Sequence, residues 1–190
     1  MSNSPAWEQK LRAMVKYYAA CQQAGNTRKF LDRYPVTHAN GDVDPEVRDK
    51  LKQIGGESIA EHKDGADEIQ NLTEELKNDP NPDKPQWEER VNQKREELKR
   101  KSNEILDQKT DEAIDYIYTL PDQERETAAD FWKTILAGFI QFWADAWDWI
   151  VTMVKAITDW IADMWETIKA SFRQVGKAFE SAWEWLKNLF

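Results

Sequence analysis

Histidine and cysteine are almost absent from this chain, proline stops at position 121, and basic residues are outnumbered by acidic ones. Each scarcity excludes something. With Cys21 alone there is no internal disulfide framework, and a reduced, cytoplasmic compartment is the expectation. His38 and His62 stand at no ligand spacing with each other or with Cys21, so neither a zinc site nor a Cys-His dyad is expected, and both imidazoles read as surface residues. Asn40-Gly41-Asp42-Val43-Asp44 opens like a calcium loop, but its sixth place holds Pro45 and its twelfth Leu51, where Gly and Glu are needed. No Gly-rich phosphate loop and no G-x-S-x-G occurs. The expectation is a protein that is not an enzyme and uses no metal or cofactor. A net charge of -9 supplies no basic face for phosphate neutralisation, which argues against nucleic acid as a partner. Glu8 and Lys10 interrupt the apolar pattern near the N-terminus, so no export signal is read there, and the Asn71-Leu72-Thr73 sequon is taken as accidental.

What is present is helix-forming and unevenly distributed. A mean hydropathy of -0.81 and 32% charged residues suit an all-α protein. All seven Pro lie at or before Pro121, whereas eight of ten Trp and six of seven Phe follow Arg125. The chain therefore divides into an acidic helical region, 1–120, and an aromatic segment, 125–190. In the first, Ser4-Pro5 reads as a cap and first turn, and Trp7, Leu11, Met14, Val15 and Tyr18 recur at helical spacing up to Gly25. A short turn of helix is expected over 27–34, followed by a polar loop. Asp44-Pro45 opens another helix, expected to end near Gly55-Gly56, with a longer one over 57–78. Three prolines in 79–85 forbid helix and mark a hairpin connection to a helix over 86–119. The charge runs on that hairpin read as solvated faces.

Residues 125–190 fall into six blocks of eleven without insertion: RETAADFWKTI, LAGFIQFWADA, WDWIVTMVKAI, TDWIADMWETI, KASFRQVGKAF and ESAWEWLKNLF. One column reads Ala128, Phe139, Ile150, Ile161, Phe172, Trp183, and another Phe131, Phe142, Met153, Met164, Val175, Leu186. A third holds Trp132, Trp143, Val154, Trp165, Gly176, Lys187, and a fourth Ile135, Ala146, Ile157, Ile168, Phe179, Phe190. Eleven residues make three turns, so these columns share roughly 100° of arc on a straight helix. The spacing predicts one long amphipathic hendecad helix, about 100 Å if unbroken. Gly138 and Gly176 are the expected bends. The longest stretch without charge, Thr134 to Ala144, has eleven residues, too few to span a bilayer.

The stripe must rest on something. It is either the covered core of one helical domain, a lipid-binding surface, a self-association seam forming a right-handed coiled coil, filament or ring, or the hidden element of an α-helical pore former. The stripes of the N-terminal helices are narrow, which leaves little apolar surface to cover a wide aromatic one. Peripheral membrane or lipid-surface binding, with homo-oligomer assembly there, is therefore the reading, and membrane remodelling its consequence. Seven basic and nine acidic residues in 125–190 leave binding to apolar insertion rather than to anionic headgroups. In its period the segment resembles the eleven-residue amphipathic repeats of exchangeable lipid-surface proteins, as in apolipoproteins, perilipins and synucleins. Its FWKTI, FWADA and MWETI repeats are also similar to aromatic repeats of phage tail tape-measure proteins. The lipid-facing or partner-facing residues expected are Phe131, Trp132, Ile135, Phe139, Phe142, Trp143, Ile150, Met153, Ile157, Ile161, Met164, Trp165, Ile168, Phe172, Val175, Phe179, Trp183 and Leu186.

Overall fold

Proline and aspartate set the starts of the helices. The computed structural model describes residues 4–38, 42–159 and 164–189, and these are helical with no strand. Helix α1 (Ala6–Gln23) follows Pro5, which itself occupies the cap position in place of Ser4. Its far end turns at Gly25, whose φ of 72° lies in the left-handed region open to glycine. A single turn, α2 (Lys29–Arg33), precedes the loop. Helix α3 (Pro45–Asn78) is capped by Asp44, whose carboxylate accepts from the Glu46 N–H at 2.9 Å. Helix α4 (Lys84–Tyr118) is capped by Asp83 in the same way, through the Gln86 N–H at 3.2 Å. After Pro121 come α5 (Asp122–Asp159) and α6 (Met164–Lys187).

Two expectations about helix ends are corrected. Gly55-Gly56 does not end a helix, since α3 runs straight through it. A side chain there would collide with the aromatic segment: a Cβ on Gly55 would sit 2.9 Å from Ile135, and one on Gly56 2.8 Å from the Trp183 ring. The glycines exist for close approach, and packing outweighs their cost of about 1 kcal/mol each in helix propensity. The aromatic segment is likewise not one long helix. It forms two, with neither Gly138 nor Gly176 at the break, both lying inside helices. Phe142 faces Trp185 and Trp143 faces Phe179, so α5 and α6 run antiparallel. The eleven-residue period survives because each helix keeps its stripe toward the other and toward α3. A repeat specifies which face is buried, and it carries no information about where the chain reverses.

Helix α5 is the axis of the bundle and packs against α1, α2, α3, α4 and α6. His62 of α3 meets Phe139 and Trp143, while Gly55 faces Ile135, so α3 runs parallel to α5. Helix α4 returns antiparallel to both, bonded through Thr110 to the Trp132 indole and through Lys109 to Glu57. Every residue from Thr134 to Ile140 is buried. That stretch lies in the charge-free run of eleven residues, a length typical of a core helix enclosed on all sides.

The charges of α3 and α4 pair with each other. Lys109 contacts Glu57 at 2.7 Å and Glu61 at 3.3 Å, Lys94 and Lys101 both reach Glu68, and Arg90 meets Glu75 at 2.6 Å. The exposed pairs among these stabilise by at most about 1 kcal/mol each, and all of them tie these two helices to each other.

The two aromatic-segment glycines should respond oppositely to alanine. In Gly138→Ala the new Cβ overlaps the Trp185 ring, so a loss of about 1 to 3 kcal/mol is expected in urea unfolding. In Gly176→Ala nothing lies within 4 Å, and a gain of up to about 1 kcal/mol is expected from helix propensity. Equal effects at both positions would contradict the hairpin geometry.

Candidate functional site

The aromatic stripe is interior in this structure. Phe131, Trp132, Ile135, Phe139, Trp143, Ile150, Met153, Ile157, Met164, Ile168, Val175, Phe179 and Leu186 are all buried. Phe142, Trp165 and Phe172 are half-buried, and Trp183 keeps 43% of its surface in water. Ile161 lies outside the described residues. The expectation that the N-terminal helices offer too little cover is therefore corrected. Narrow stripes suffice because α3 presents small residues, among them Gly55, which lets Ile135 and Leu186 approach closely, and Gly56, which admits the Trp183 ring. The α5–α6 hairpin also covers a large part of its own stripe. The readable signal was the set of small residues on α3, which are too polar or too short to register as an apolar face.

At the middle of the stripe sits a polar chain that sequence reading missed. His62 was expected at the surface and is fully buried, whereas His38 is exposed. The His62 Nδ1 lies 2.8 Å from the Ser58 carbonyl oxygen, which can only accept, so Nδ1 carries the proton. Nε2 is then an acceptor for the Ser102 hydroxyl at 2.8 Å, and Ser102 in turn accepts from the Tyr18 hydroxyl at 2.7 Å. The chain Tyr18, Ser102, His62, Ser58 thus crosses α1, α4 and α3, with every bond directed one way. Against the ring lie Phe139 at 4.6 Å and Trp143 at 4.7 Å between centroids, both from α5. Nothing in the order of residues marks His62 as interior except its helical phase, three residues after Ile59 and four before Ala66.

Burial shifts the protonation equilibria here. Desolvation lowers the His62 pKa to about 4, against a smaller opposing effect of its bond to the Ser58 carbonyl. Desolvation also raises the Tyr18 phenol far above its ordinary range, so the chain is neutral at physiological pH. Nearby polar groups are left without partners. The Gln22 amide and the Trp143 indole N–H are buried beside the Tyr18 hydroxyl without a hydrogen bond of normal geometry, and a buried polar group left so weakens the fold. The seam between α1, α3 and α5 is therefore held by apolar packing and weakened by its polar atoms.

A serine 2.8 Å from an imidazole nitrogen has the spacing of a nucleophile and its base. Ser102 and His62 are nevertheless sealed from water, and neither lines a described surface cavity. In this state the pair is a packing element. Among the described residues no group of histidine, cysteine and carboxylate side chains is arranged to hold a metal ion.

The outer side of the hairpin differs. A groove of about 450 Å³ runs between α2, α5 and α6, lined by Phe142, Trp149, Lys177 and Ala178. At its edge Arg28 clamps α2 to α5, with its guanidinium 2.6 Å from both Asp145 and Asp148. Those two carboxylates raise the Arg28 pKa. Trp149, 38% exposed, adds apolar surface here, while Val151, 40% exposed, lies on the side of α5 that faces α4. Comparison with family models, with curated proteins and with solved structures finds no match for this chain.

The shifted imidazole has a stability consequence with a definite sign. Between pH 6.5 and about 4 the unfolded chain takes up a proton at His62 and the folded chain does not, so stability is lost as the pH falls. The carboxylates of Glu8, bonded by Tyr118, of Glu57, held by Lys109, and of Glu68 and Glu97, held chiefly by Lys94, all have lowered pKa values. Their contributions fade only below the ordinary carboxylate range, near pH 4.5. Urea unfolding at pH 7 and pH 5 should therefore differ by about 2 kcal/mol through His62. His62→Gln should remove that difference, and a difference undiminished in the variant would assign the slope elsewhere.

Proposed function

We propose that this protein binds lipid surfaces peripherally through its α5–α6 hairpin, which turns its aromatic stripe outward when it separates from α1, α3 and α4. The observation that carries the reading is the division of interactions in the bundle. The ion pairs of α3 and α4 to other helices close on each other, or on α1 where Arg12 meets Asp111 at 2.6 Å. The aromatic hairpin meets the other helices mainly through apolar side chains, small residues and the buried polar chain, with the Arg28 clamp, a long Lys10–Glu126 pair and a bond from Lys52 to the Lys187 carbonyl oxygen at the rim. A lipid surface can replace apolar contacts of that kind. At about 1.5 to 3 kcal/mol for each large side chain removed from water, the same stripe is satisfied by protein or by acyl chains.

Three further features support it. No helix among the described residues is long and apolar enough to cross a membrane, which suits an interfacial position. Trp149 and Trp183 are already exposed on the hairpin and can make the first contact. The near balance of charge in 125–190 leaves insertion, rather than attraction to anionic headgroups, as the driving force.

The protein is expected to float with neutral phosphatidylcholine vesicles about as well as with anionic ones, and brominated acyl chains should quench its Trp emission. Trp149→Ala combined with Trp183→Ala removes two part-exposed rings, of which Trp183 also lies over Gly56, and should weaken vesicle binding by about tenfold or more, with circular dichroism checking that helix content is kept. Absence of flotation together with a large lipid-free mass in light scattering would instead assign the hairpin to self-assembly. Release of trapped dye would mark a pore former.

A further inference from the structure

We infer that mild acid switches on this lipid association, with protonation of His62 releasing the α5–α6 hairpin from α1, α3 and α4. The inference rests on the lipid reading above and concerns its regulation. The argument is geometric. His62 stands where four helices meet: α3 carries it, α1 and α4 reach it through Tyr18 and Ser102, and α5 closes over it with Phe139 and Trp143. In the neutral ring Nδ1 is spent on the Ser58 carbonyl, and Nε2 must accept from Ser102. A proton on Nε2 turns the acceptor into a donor. Two hydroxyls would then have to reverse inside a closed core, and the positive charge would still lack a counter-ion.

The groups facing the ring supply no such charge. From α1 the titratable neighbour is Tyr18, which stays a neutral phenol. From α3 it is the Ser58 carbonyl, and the flanking Glu61 and Lys63 are exposed. From α4 it is Ser102, and the charged Lys109 is engaged with Glu57, Glu61 and Glu112. From α5 it is two aromatic rings. Separation of α5 from α3 exposes the ring to water, where an imidazolium is stable. The opened state exposes the centre of the stripe, since Phe139 and Trp143 belong to it.

With the folded pKa near 4 and an ordinary value of 6.5 in the open state, the ratio of open to closed protein rises roughly twenty-five-fold from pH 7.4 to pH 5.0. The test is the partition of the full chain onto phosphatidylcholine vesicles, whose net charge stays neutral over this range. Wild-type binding is expected to rise by about that factor, and His62→Gln, which keeps an acceptor and a donor but cannot titrate, to change by less than about threefold. Equal binding of both proteins at both pH values would overturn the switch and keep the lipid reading. His62-dependent opening in acid, seen by amide exchange, with no vesicle binding at either pH, would overturn the lipid reading. Should the variant fail to fold, NMR titration of the wild-type imidazoles decides, because the chain has only two. A His62 resonance titrating at 6.5 or above would overturn the proposal.

Discussion

Seven consecutive residues of one helix, Thr134 to Ile140, are kept from water on every side, and the other helices are arranged to do that. Trp132, Phe139 and Trp143 are buried, Phe139 and Trp143 against His62 and Trp143 also against Trp147 and Phe179. Gly55 and Gly56 on α3 let Ile135 and Trp183 approach, and Gly138 on α5 lets Trp185 lie across it. Burial of these rings supplies the main stabilisation, since the surface ion pairs contribute little individually. Dense packing also means that removing or adding a methyl group at these contacts is felt directly.

The same packing isolates the polar groups it encloses. Tyr18, Ser102 and His62 satisfy each other only in one protonation state, while Gln22 and Trp143 leave donors and acceptors unused. A core built for maximal stability would have filled these places with apolar side chains of similar volume. On the proposed lipid reading their position matters, because they lie at the seam along which the aromatic hairpin would leave. A seam that is apolar in area and frustrated in its polar atoms is one that a competing apolar surface can open.

Much of the helix layout was legible in the residue order. The α1 stripe from Trp7 to Tyr18, the Asp44-Pro45 start and the three-proline connection at 79–85 are local signals that act through backbone sterics and capping, and they need no partner. Gly55-Gly56 misled because a glycine pair has two physical uses, ending a helix or admitting a neighbour, and only the neighbour distinguishes them. His62 misled for a related reason: an imidazole is polar by type, yet two well-placed hydrogen bonds make it acceptable in a core.

Residue order is enough to make the chain all-α, to set which faces of its helices are apolar, and to give residues 125–190 one continuous stripe. Those properties follow from periodicity, and periodicity is local. Three-dimensional packing alone sets α5 and α6 antiparallel, brings α3 over the stripe, and joins His62 to Ser102 forty residues away. These depend on which surfaces fit one another in three dimensions. A hydrophobic pattern states that a face must be buried, and shape complementarity decides against what.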